Sequence, residues 1–172
     1  MLILLWYISN DFYCSSPLRH TDPVQLYVLR HGQSEYNATR ADVYDTKLTE
    51  LGKQQASKVT GHFDLVVCSP LARTRQTLEY SQITYQRLLH CEECRSLKTH
   101  KSDFYPHEEI KFETEREIKE RMAKMVEILR GYAKEVDKLL FVGHKDVIEY
   151  ATKKNKDGPV ILKNAELRKI SI

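Results

Sequence analysis

The chain has 172 residues, 30% of them charged, with a formal net charge of +3. That length suits one domain with a single sizeable core. So slight a positive balance gives no ground for a nucleic-acid partner.

Residues 1–8 are apolar but too few to span a bilayer, so no membrane partner is expected. No Lys or Arg precedes this run and no clear small-residue cleavage site follows it, which disfavours a secretory signal. The run reads as an appended segment that packs on the domain surface or is poorly ordered. Residues 10–23 are rich in Asp, Ser and Pro and read as a linker. Residues 1–23 are therefore set apart from a domain spanning 24–172. Cysteines stand at 14, 68, 91 and 94. Cys91 and Cys94 form a lone Cys-x-x-Cys with no second pair at zinc-finger spacing, so no metal is expected there. All four read as free thiols of a reducing, cytoplasmic compartment.

The first organised stretch is Gln25 to Asn37. Leu26, Tyr27, Val28 and Leu29 suit a buried strand. The run halts at Arg30-His31-Gly32, which sets a cation and an imidazole at the strand's carboxyl end. In open α/β sheets, ligands bind outside such ends. Gly32 permits a sharp turn and close backbone approach to a ligand. Ser34 and Asn37 suit a helix start. Residues 38–47 show little periodicity and read as a loop. Residues 48–59 look helical, with Thr49 as cap, an apolar stripe through Leu48, Gly52, Ala56 and Val59, and Gly61 as the stop.

Phe63 to Cys68 is a second strand, and it runs into Ser69-Pro70. Ser69 as cap and Pro70 at the first helical position predict a helix that carries Arg73 near the strand end. A weaker strand pattern covers residues 83–92. Residues 92–103 are polar and read as an irregular excursion over the sheet end. Thr114 and Glu117 make a capping box for a long helix to about Lys134, with Ile118, Met122, Met125, Val126, Leu129 and Ala133 on one stripe. Leu139 to Val142 is a third strand, ending in Gly143-His144. Another helix follows through Val147–Ala151 and breaks at Gly158-Pro159. Residues 160–162 and 167–170 suit terminal strands. The alternation argues for a three-layer α/β/α domain with a mostly parallel central sheet.

Three strand ends thus deliver Arg30, His31, Arg73 and His144 to one sheet edge. Two guanidinium forks suit the non-bridging oxygens of a phosphoryl group. Positive groups at those oxygens stabilise its transfer, and an imidazole between them can attack phosphorus. No metal-ligand carboxylate cluster is evident, so no cofactor is expected. Arg75, two positions past Arg73, should face away.

Here the chain resembles a family. Leu29 to Asn37 (Leu-Arg-His-Gly-Gln-Ser-Glu-Tyr-Asn) is similar to the signature of the histidine phosphatase, or phosphoglycerate mutase-like, superfamily. Residues 48–56, 68–77 and 142–145 resemble its later blocks, in the same order. The resemblance implies a phosphoglycerate mutase-like fold and a phosphomonoester hydrolase. It casts His31 as the nucleophile and Arg30, Arg73 and His144 as the phosphate pocket, with Asn37 touching the phosphate from the first loop. It also implies a carboxylic acid in the excursion. A subgroup has a Cys-Arg-Glu run there, but this chain has Cys94-Arg95-Ser96, which leaves Glu93 or Glu92 as the candidate acid, or none. The residue after His144, usually Gly, is Lys145. The expected partner is a small-molecule phosphomonoester or a phosphorylated protein. Two rival readings are a catalytically impaired phosphate-binding or scaffold module and a phosphoglycerate mutase-type phosphotransferase.

Overall fold

The computed structural model describes residues 24–41, 43–153 and 158–170; the expectations for residues 1–23 lie outside them. Five strands form one sheet: β1 (Gln25–Arg30), β2 (Thr60–Cys68), β3 (Gln82–His90), β4 (Lys138–Gly143) and β5 (Leu167–Ile170). Their order is β3-β2-β4-β1-β5. All neighbours run parallel except β5, which pairs antiparallel with β1. Among the described residues, five α-helices accompany them: α1 (Glu35–Thr39), α2 (Glu50–Ala56), α3 (Ala72–Tyr80), α4 (Glu115–Ala133) and α5 (Lys145–Thr152).

Strand residues alternate between two apolar layers, as a two-residue side-chain period requires. Leu26, Val28, Leu65, Val67, Leu139 and Phe141 face one side, where Met122, Met125 and Leu129 of α4 and Val147 and Ile148 of α5 cover them. Leu29, Val66, Leu140 and Val142 face the other side, with Val59 and with Leu78 of α3. The methionines of α4 are core filling, fully buried. Burying each such side chain contributes about 1.5–3 kcal/mol, so the central strands anchor the sheet edge on which the polar residues stand.

The capping signals hold where they were legible. Thr114 and Glu117 form the reciprocal box of α4, and Thr49 accepts the Gly52 N–H of α2. Ser34 caps α1, with Asn37 closing its box. Other boundaries differ. The α2 helix ends at Ala56 and Gly61 lies inside β2, which begins at Thr60. Residues 160–162 form no strand. Ser69 does not cap α3, which starts three residues later behind Leu71. Asp45 caps α3 from afar, its Oδ1 accepting the Ala72 N–H at 2.7 Å. Gly32 makes its close approach to protein: a Cβ there would stand 2.5 Å from the Gly52 carbonyl oxygen. A Cβ on Gly52 would stand 2.1 Å from the Gln33 carbonyl oxygen, so the two glycines let α2 lie directly against the turn after β1.

Candidate active site

Register explains how the site is assembled. Arg30 pairs with Gly143, and Cys68 with Val142. One step past these pairs, His31 falls beside His144 and Ser69 comes alongside. The two imidazole centroids lie 5.3 Å apart. Arg30, His31, Asn37, Arg73 and His144 all line one cavity of about 450 Å³. The four residues read from the strand ends are thus brought together, along with Asn37. Arg75 is exposed, as its place on the helix required.

Hydrogen bonding sets the tautomers. His31 Nδ1 lies 2.7 Å from the Gly32 carbonyl oxygen. A carbonyl accepts only, so Nδ1 carries the proton and Nε2 keeps its lone pair. His31 is 5% exposed. Burial first, and then the Arg73 charge, hold its pKa well below the ordinary 6.5, so the ring is neutral. His144 is held down in the same way, by burial and then by Arg73. Its Nε2 lies 2.8 Å from Ser69 Oγ. His144 Nδ1 is buried and has no partner among the described residues. Arg30 Nε is likewise buried and without a partner there, while its Nη1 donates to the Leu162 carbonyl at 2.8 Å. A buried donor left unpaired costs about 1–3 kcal/mol, so the Arg30 Nε–H, with the unpaired His144 Nδ1 on the same cavity, marks a place for an acceptor-rich ligand.

Arg73 is differently placed. It is buried, and it donates through Nη1 to the Ser102 carbonyl and through Nη2 to Asp103 Oδ1, both at 2.8 Å. Asp103 is itself buried, with its Oδ2 accepting the His100 N–H at 3.0 Å and the Thr99 N–H at 3.3 Å. A single 3-10 turn, Lys101–Asp103, therefore lays a carboxylate on the guanidinium that was expected to be open to phosphate. Asn37 Oδ1 accepts from Ser34 N and from Asn164 Nδ2, so Asn37 is a capping residue that also lines the cavity.

Glu93 is not brought to the cavity. It sits on the 3-10 turn Glu92–Cys94, whose buried residue is Cys94. Anchoring Cys94 inward turns Glu93 toward α4, where Lys124 pairs with it. That hydrogen bond holds the Glu93 carboxyl below its ordinary range. Glu92 also lies outside the cavity lining. Cys68, Cys91 and Cys94 are free thiols, and burial pushes Cys68 up to about 12; Cys14 lies outside the described residues.

Sequence reasoning missed several residues at the cavity. Asp103, Asp146, Tyr36 and His100 all line it, beside Ser96. Asp146 follows His144 by two positions, and that spacing in a strand-to-helix turn was the available signal. The excursion that carries Ser96 is pinned by Arg121 of α4, which donates to the carbonyls of Glu93 and Arg95 at 2.9 and 2.8 Å and pairs with Glu113. Glu108 takes hydrogen bonds from Arg95 and Lys98. These hold its carboxyl at about 2 even though burial pulls the other way.

The family model described as the histidine phosphatase superfamily (branch 1) matches residues 26–94. A broad-specificity phosphatase of Saccharomyces cerevisiae, YOR283W, is 35% identical over 75 residues, covering 38% of this chain and 32% of that protein. The chain spans about a third or less of the curated relatives it matches. Among solved structures, the alpha-ribazole phosphatase from Shigella flexneri superposes with a TM-score of 0.65 at 19% identity, covering 87% of this chain and 91% of that one. A phosphoglycerate mutase from Thermus thermophilus gives 0.62 at 16% identity, covering 86% and 92%. The fold is therefore phosphoglycerate mutase-like.

Proposed function

We propose that this chain, whose residues 26–94 belong to the histidine phosphatase superfamily (branch 1), hydrolyses phosphomonoesters through a phosphohistidine on His31. One observation carries the reading. A neutral histidine with its Nε2 lone pair available lines the same cavity as Arg30 and His144, whose Nε and Nδ1 are buried nitrogens without a partner among the described residues. Phosphate oxygens are the acceptors that the Arg30 Nε–H lacks.

The chemistry divides into two displacements. In the first, His31 Nε2 attacks phosphorus, the N–P bond forms and the ester P–O bond breaks. Arg30 and His144 take the equatorial oxygens, where charge builds up in the transition state. In the second, water attacks the phosphohistidine, the N–P bond breaks and the imidazole is regenerated. The Gly32 carbonyl fixes the His31 tautomer in both. The site works in metal-free buffer on this reading.

A second reading, a phosphate-binding module with little turnover, draws on the Asp103 carboxylate that holds Arg73 and on Ser96 in the acid's place. Hydrolysis of p-nitrophenyl phosphate by wild type and by folded His31→Ala separates the two. Turnover that disappears in the variant is the expected result. Phosphate binding without turnover in wild type would favour the module.

A further inference from the structure

Among the described residues, three carboxylates line the cavity: Asp103, Asp146 and Glu149. Asp103 is committed elsewhere, and Glu149 is not tied to the excursion. Asp103 gives Oδ1 to the Arg73 guanidinium and Oδ2 to two backbone N–H groups. Glu149 has its Oε1 3.6 Å from the Lys145 ammonium and without a hydrogen-bond partner among the described residues. Asp146 differs, because its donors are neutral. The Leu97 N–H reaches its Oδ2 at 2.9 Å and the Ser96 hydroxyl at 3.4 Å. It forms no ion pair among the described residues. Asp146 stands in the first turn of α5, two residues past His144, and is partly buried.

We propose that Asp146 is the catalytic acid of this site, delivered from α5 to the place where the excursion offers only Ser96. The inference rests on the phosphohistidine reading above. As His31 Nε2 bonds to phosphorus and the P–O bond breaks, the Asp146 proton passes to the departing oxygen, which leaves as a neutral alcohol. The resulting carboxylate then takes a proton from the attacking water as the N–P bond breaks. Each proton given in the first step is recovered in the second.

The surroundings push this carboxyl toward its protonated form. Burial raises its pKa and the Asp103 charge adds to this, while the Leu97 and Val147 N–H groups and Arg73 oppose it. The Arg30 guanidinium also feels the Asp146 charge, together with that of Glu149. A bound phosphate would bring further negative charge into the same cavity and favour the neutral acid still more.

The substrate class follows. Without an acid, only esters with good leaving groups would turn over. With Asp146 in that role, phosphates of ordinary alcohols fall within reach.

The test compares p-nitrophenyl phosphate, which needs no proton, with an alkyl ester such as glycerol 2-phosphate. Asp146→Asn keeps the acceptor for the Leu97 N–H, so the excursion stays anchored. The expected result is a loss of roughly 10²–10⁴-fold in kcat for the alkyl ester, against a few-fold for the aryl ester. Ser96→Glu in the Asp146→Asn background should restore alkyl turnover, since position 96 faces Asp146. Equal losses on both esters, or none, would overturn the assignment while leaving His31-dependent hydrolysis standing. A folded wild type inert toward both esters would overturn the assignment together with the reading beneath it.

Discussion

Mild acid should weaken this fold through two histidines. His31 and His144 are buried as neutral rings, with pKa values pushed well below 6.5. In the unfolded chain each returns to about 6.5. The unfolded state therefore takes up protons that the native state refuses. The stability this contributes is complete above the unfolded value and is lost as pH falls below it. Between about pH 7 and about pH 5.5, a histidine that stays neutral when folded costs about 1.3 kcal/mol, and two cost about 2.5 kcal/mol. For a domain of this size that is a fall of about 5–10 °C in Tm. Glu93, Glu108 and Glu113 have lowered values, so their contributions are lost only as pH falls below about 4.5 and barely change over this window. Asp146 has a raised value and works in the opposite sense, trimming the total. The assay is urea unfolding at both pH values and matched ionic strength, for wild type, His31→Gln and His144→Gln. Each variant should lose about half of the pH-dependent change, whatever its absolute stability. A wild-type stability that holds level from pH 7 to 5.5, or an unchanged pH slope in both variants, would refute the buried, neutral imidazoles.

Asp103→Asn removes the charge that Arg73 now faces, so inorganic phosphate should bind about tenfold more tightly by calorimetry, while the melting temperature falls because a buried ion pair is broken. Unchanged phosphate affinity would mean that Arg73 takes no part in binding. Gly52→Ala sets a Cβ against the Gln33 carbonyl, and it should destabilise the domain by about 1–3 kcal/mol in urea unfolding as α2 shifts off the β1 turn. Glu93→Gln should leave p-nitrophenyl phosphate turnover within about twofold of wild type, because the side chain pairs with Lys124 outside the cavity. A large loss would return Glu93 to the reaction.

How much of this was legible in the sequence depended on range. The apolar runs that halt at Arg30-His31 and at Gly143-His144 announce strand ends, and strand pairing then forces those ends together. Caps such as Thr49 and Thr114 were legible because they act within three residues. The β3 strand was faint because it lies at the sheet edge, with most of its residues out of the core. Ser69 looked like a cap beside Pro70, yet its hydroxyl is taken by His144, which lies 75 positions away. Glu93 was placed by proximity to Arg95 and Ser96. Its direction is instead set by Cys94, which anchors the turn inward. The Asp103–Arg73 pair and the reach of Asp146 to Leu97 both depend on how the excursion folds over the sheet end. No local pattern records that path, because backbone bonds and Arg121 of α4 hold it.

The most direct test of the central claim is to trap the intermediate. Wild-type protein would be mixed with an activated aryl phosphate, quenched in alkali (where phosphohistidine survives), digested and mapped by mass spectrometry. The account predicts one phosphoryl group, labile to acid, on the peptide that carries His31, and none in His31→Ala. Phosphate found on another residue, or turnover by wild type with no phosphoryl group on His31, would contradict it.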